Sequence, residues 1–170
     1  MKGFKLIALI AVFVFAISGC KSGDTTSKTA VESNSAKKET DISVELDKVK
    51  EDILNTIEAS DYIDINGDAA NLLYDIELKD MKQCSGFSVA NGTFPHEVVM
   101  IEAANDEAAK RIEEALDTKI NSFAQQSKNY DPDNYALAKK CKLEKNGIYF
   151  GLFLSPEYEE IKTVYNKYIK

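Results

Sequence analysis

Residues 41–170 predict an α+β domain, an antiparallel sheet of about four strands packed by helices. Three observations carry that expectation. Apolar residues at helical spacing alternate with short β-prone runs, an Asn146-Gly147 pair separates two of those runs, and no internal repeat is visible.

The elements follow in chain order. Leu46, Val49, Ile53 and Ile57 recur at helical spacing, and Asp41 or Ser43 can cap the start of that helix. The stretch 61–68, rich in Asp, Asn and Gly, reads as a turn, and 69–74 as a further helical turn. Residues 87–90 and 98–103 read as strands, separated by the loop Asn91-Gly92-Thr93-Phe94-Pro95. Asn105 opens a helix with Asp106 and Glu107 in its first turn, where acids suit the helix dipole. Its stripe is Ile112, Leu116, Ile120 and Phe123, and Asp131-Pro132-Asp133 closes it. Residues 137–144 and 148–154 flank Asn146-Gly147, which predicts a β-hairpin with a type I′ turn. Ser155-Pro156 reads as an N-cap and a first-turn proline, opening a helix with Tyr158, Ile161, Tyr165 and Tyr168 on one side.

Ahead of this domain the chain changes character. Basic Lys2 and Lys5 precede twelve unbroken apolar residues, 6–17, and then Ser18, Gly19 and Cys20. An apolar core of this length suits a secretory signal and is shorter than the ~20 residues a membrane-spanning helix needs. Ile17-Ser18-Gly19-Cys20 resembles the lipobox of bacterial lipoproteins. The resemblance implies cleavage between Gly19 and Cys20 and a diacylglyceryl group on the Cys20 thiol. Two acyl chains hold a protein at a membrane stably where one does so only marginally. Residues 1–19 are thus expected to be a signal peptide that is removed. Residues 20–40, with Val31 as the only large apolar side chain after Cys20, are expected to be a disordered, lipid-anchored linker. As a flexible coil it reaches ~25 Å, which holds the domain near the outer face of the membrane without resting on it.

Charge narrows the partners. After removal of the signal the chain carries 19 basic and 28 acidic residues, −9. From residue 41 onward there are 15 basic and 25 acidic, −10. Nucleic acid calls for a basic patch, and a domain lying flat on an anionic membrane does too, so both partners are disfavoured. Besides Cys20 there are two cysteines, Cys84 and Cys141, both in expected strands. Two are too few for a disulfide scaffold; buried free thiols are expected, with a bond between them left open.

Several runs together look like one family. They are Leu73-Tyr74-Asp75-Ile76, His96-Glu97-Val98-Val99-Met100, Tyr130-x-Pro132-x-x-Tyr135-x-Leu137, and Asn146-Gly147-x-Tyr149 with Leu152, Leu154 and Ser155. The chain resembles the domain of unknown function 4358, carried by lipoproteins of clostridia-like Gram-positive bacteria. The resemblance implies the fold and the location; it implies no activity, cofactor or catalytic residue. Cys84-Ser85-Gly86 departs from the pattern and blurs the start of the first strand.

Three constellations are candidates for chemistry. Asp64, Asn66, Asp68 and Asp75 stand at positions 1, 3, 5 and 12 of a calcium-type loop, but Ala69 holds the position that needs glycine, and Leu72 offers no ligand. Cys84 and the single histidine, His96, make a thiol–imidazole pair if folding joins them, with Glu97 or Asp75 to orient the ring. Tyr130 and Tyr135, in an expected loop, are candidates for an interaction surface. No phosphate loop, paired-histidine zinc motif or serine-nucleophile elbow occurs, and no cofactor is implied. A non-enzymatic binding module of the cell envelope is the leading expectation, with a protein or polymer partner. A small-ligand or cation accessory protein comes second, and an envelope hydrolase third.

Overall fold

The computed structural model describes residues 44–89 and 96–170. The signal peptide, Cys20, the linker 20–40, the caps Asp41 and Ser43, and the loop 91–95 lie outside the described residues.

The elements run α1 (Leu46–Thr56), β1 (Tyr62–Ile65), α2 (Gly67–Tyr74), a 3-10 turn (Leu78–Asp80), β2 (Met81–Val89), β3 (His96–Ala103), α3 (Asp106–Ser127), α4 (Pro132–Lys140), β4 (Leu143–Asn146), β5 (Tyr149–Leu154) and α5 (Tyr158–Tyr168). The five strands form one antiparallel sheet in the order β1-β2-β3-β5-β4. The expected α+β class holds, with one strand more than expected. Helices α1 and α5 pack on one face and on each other, while α2 and α3 cover the opposite face with α4 against α3. Among the described residues no helix is long and apolar enough to cross a membrane.

Register and the two-residue alternation of strands assign the faces. Glu97, Val99 and Ile101 share a face with Cys84, Gly86, Phe150, Leu152 and Leu154, beneath α2 and α3. Val98, Met100 and Glu102 share the other face with Ser85, Phe87 and Phe153, beneath α1 and α5. Because both faces are covered, residues 98–103 and 150–154 are buried without alternation. The Phe153 ring meets Tyr165 of α5 edge-on at 5.3 Å. Such pairs contribute about 0.5–1.5 kcal/mol beyond burial.

Side chains set most helix starts. Asn66, Asn105 and Asp131 each accept the backbone N–H three residues on, at 3.0, 2.9 and 3.0 Å. Asp131-Pro132 therefore opens α4 as well as ending the connection from α3. That corrects the expected strand over 137–144: residues 137–140 finish α4, where Lys139 and Lys140 suit the C-terminal dipole, and β4 begins at Leu143. Cys141 accordingly sits at the end of a helix and not in a strand. Strand β1 replaces the expected turn; its Tyr and Ile residues favour extended backbone, and the turn is confined to Asp61 at φ 55°. Glu45 holds the N-cap position of α1 without a side-chain bond, and Glu157 that of α5. Ser155 lies two residues earlier than a cap, its Oγ accepting the Glu157 N–H at 3.3 Å. The hairpin loop is Gly147-Ile148, with positive φ at Gly147 alone, as in a type II′ turn and not the expected I′.

Candidate functional site

The expected thiol–imidazole pair does not form. Cys84 in β2 faces Ile101, while His96 at the start of β3 faces Val89, five residues further along β2. Five residues of strand are ~17 Å, and alternation puts the two side chains on opposite faces. Burial, then the nearby Asp47 charge, push the Cys84 thiol up to about 12, the reverse of what a nucleophile needs. Cys84 and Cys141 are both free. Glu97 cannot orient His96 either; it accepts from Tyr74 Oη at 3.1 Å and pairs with Lys119 Nζ at 3.3 Å under the α2 and α3 layer.

The calcium-type loop is also opened out. Asn66 caps α2, whose eight residues place Asp75 at its far end, ~12 Å away by helical rise. Asp64 is held by Lys50 Nζ at 2.9 Å. Among the described residues no group of three His, Cys, Asp or Glu is arranged to hold a metal.

His96 instead meets Ser155 and Glu157, 59 and 61 positions later, at the expected start of the last helix. Ser155 Oγ donates to Glu157 Oε2 at 2.8 Å, and His96 Nδ1 lies 3.2 Å from Ser155 Oγ and 3.3 Å from Glu157 Oε2. Both contacts fall on the same ring nitrogen, so the order of a Ser-His-acid relay, with serine and acid on opposite nitrogens, is absent. Ser155 is fully buried. The trio clasps the start of β3 to the β5–α5 connection, beside an open cleft of 390 Å³ that Glu58 and Asp61 also line.

A second polar cluster is internal. A β-bulge at Lys82 turns both Lys82 and Gln83 toward Glu102, which is fully buried and accepts from each at 2.6 Å. Its position under α1, whose Leu46 N–H bonds Gln83 Oε1 at 3.3 Å, makes it a structural anchor.

The surface tells more. Among the described residues the exposed large apolar side chains are Tyr62, Ile63, Leu72, Leu73, Leu78 and Tyr130, and five of these six fall within Tyr62 to Leu78. Ile63 and the three leucines sit on β1, α2 and the 3-10 turn, elements that pack together on one flank, while Tyr62 turns to the α1 face, its ring 5.8 Å from Phe87. Ile63 shares the sheet face covered by α2. Leu78 lies against the first turn of α2, within 3.4 Å of where a Gly67 Cβ would stand. Helix α2 buries Ala70 and Tyr74; at ~100° per residue Leu72 then points directly away from the sheet, and it is 85% exposed. The sequence held this signal: three successive apolar residues, Leu72-Leu73-Tyr74, cannot all face one core from a helix. Of the tyrosines singled out, Tyr130 is exposed in the α3–α4 connection, and Tyr135 is half-buried on α4 and not in a loop.

A family model described as a domain of unknown function (DUF4358) matches residues 55–155, more than half of the chain. The chain belongs to the DUF4358 family. The matched DUF4358 region begins in the last turn of α1 and ends just past β5, so it contains the whole sheet and the apolar flank while omitting α5. No curated protein and no solved structure matches the chain.

Proposed function

We propose that this DUF4358 protein is a non-enzymatic binding module, tethered through a diacylglyceryl group on Cys20 to the outer face of the cell membrane, and that it docks an envelope protein on the flank formed by β1, α2 and the 3-10 turn. The observation that carries this reading is the concentration of Ile63, Leu72, Leu73 and Leu78 on neighbouring elements. Scattered exposed apolar residues need no explanation, whereas a cluster of them marks an interaction surface. The separation of Cys84 from His96, and the burial of Ser155, weigh against a hydrolase. Tyr130, alone in another connection, is carried as a second point of contact.

The test places a photo-crosslinking amino acid at Ile63, Leu72, Tyr130 or, as a control, exposed Lys110, in cells making the full chain. The expected result is a discrete adduct from Ile63 and Leu72, absent from Lys110 and lost when Cys20→Ala removes the tether. Adducts no stronger from Leu72 than from Lys110 would sink the reading.

A further inference from the structure

We infer that the flank around α2 receives a protein segment that combines apolar side chains with an excess of lysine or arginine; this rests on the binding-module reading above. The chemistry of the rim selects the occupant. Residues 58–80 carry seven carboxylates, Glu58, Asp61, Asp64, Asp68, Asp75, Glu77 and Asp80, against one basic residue, Lys79. Three of the seven are compensated: Asp64 by Lys50, Glu77 by Lys79 and Asp80 by Arg111. Glu58, Asp61, Asp68 and Asp75 have no ion-pair partner among the described residues. Glu58 and Asp61 line the cleft beside His96, whereas Asp68 stands four residues before Leu72 and Asp75 three after it, so on the outward side of α2 the exposed leucine lies between two uncompensated carboxylates.

That combination separates the alternatives. A second copy would bring the same acidic rim and a domain charge of −10 against −10. An anionic lipid surface would meet the rim with like charge as well. A basic, apolar segment instead buries its apolar side chains on Leu72 and Leu73 while its cations meet the free carboxylates, which steers encounter and fixes orientation. Affinity from the apolar part resists salt, and the part from the rim is screened by it.

The experiment uses soluble synthetic peptides of equal length, alternating leucine–lysine, leucine–glutamate or serine–lysine, titrated against the full chain in detergent by fluorescence anisotropy. The leucine–lysine peptide binds, the other two do not, and its affinity falls as NaCl rises from ~0.05 to ~0.5 M. Leu72→Ser/Leu73→Ser weakens it about tenfold or more. Asp68→Lys/Asp75→Lys weakens it and flattens its salt dependence, while Gln125→Ala, at an exposed position of α3, leaves it unchanged. Leu72→Ser alone, at the most exposed of these leucines, serves if the double variant melts early. Equal binding of the leucine–glutamate peptide, indifference to both leucine variants, or preference for phosphatidylglycerol vesicles over the leucine–lysine peptide overturns the inference. Sequencing the adducts formed at Leu72 in cells separates the two levels: a partner segment without excess lysine or arginine refutes the basic occupant and leaves the docking surface standing.

Discussion

Asp80 shows how one partner can hold a carboxylate in its charged form. Arg111 donates from Nε at 2.7 Å and from Nη2 at 2.6 Å, a two-pronged contact tying the 3-10 turn to α3. The Arg111 hydrogen bonds hold the Asp80 carboxyl below its ordinary 3.8. A depressed carboxylate contributes stability that is present above its unfolded value and lost as pH falls through its folded one. Arg111→Gln is therefore expected to lower the urea midpoint at neutral pH, and the gap to the parent should narrow below pH 3.8. A gap that widens in acid would contradict the assignment. Cys84 carries the opposite prediction. With its thiol pushed up to about 12, only roughly one part in ten thousand is thiolate at pH 8. Iodoacetamide should label the Cys84 peptide slowly in the folded protein and rapidly in urea, as peptide mass spectrometry would record. The pairing of His96 with Ser155 and Glu157 could not be read from residue types, because it joins positions 59 and 61 apart through the sheet register alone.

At the scale of elements, what the sequence disclosed depended on whether the signal was local. Three of the five helices were legible because their stripes, Leu46-Val49-Ile53, Ile112-Leu116 and Ile161-Tyr165, are also their buried faces. Strand β1 was hidden because an edge strand has little to bury: of Tyr62–Ile65 only Ile65 is inside, and acids on an edge serve to discourage further pairing. Helix α4 was hidden by its ambiguous start, since a proline after aspartate ends one segment as readily as it opens the next. Close packing within the sheet was not legible either. A Cβ on Gly86 would stand 2.2 Å from the Val98 carbonyl oxygen and 2.8 Å from Val99 Cα, backbone atoms that have no room to yield. Gly86→Ala should cost about 3 kcal/mol or more. Gly147→Ala meets nothing within 4 Å and suffers only the left-handed backbone, about 1 kcal/mol. Equal losses in chemical denaturation would mean that the β2–β3 contact is looser than this register requires.

For the whole molecule, net charge was readable before any fold, but its arrangement was not. A total of −10 over residues 41–170 states that the domain repels itself. The structure shows where that charge is compensated, at Lys50, Lys119, Lys145 and Lys162 along the helix and sheet contacts, and where it is left open, at Asp68 and Asp75 on α2 as at Asp106 and Glu107 on α3 and Glu159 and Glu160 on α5. The docking flank was legible in the chain only at Leu72-Leu73-Tyr74, because Ile63 counts as a core candidate until its strand decides which way it points. Self-repulsion and local pairing respond to salt with opposite signs. Screening weakens exposed ion pairs, each worth little, and it also relieves the long-range repulsion among ten uncompensated charges. The second effect is summed over the surface and should win. The midpoint of thermal unfolding is therefore expected to rise by a few degrees as NaCl goes from ~0.01 to ~0.15 M, and to rise less in Asp68→Lys/Asp75→Lys, which carries four fewer net negative charges. A midpoint that falls with salt in the parent would show that the ion pairs across the helix layers outweigh the acidic excess. The open carboxylates around α2 would then be a smaller cost to the fold than their number implies.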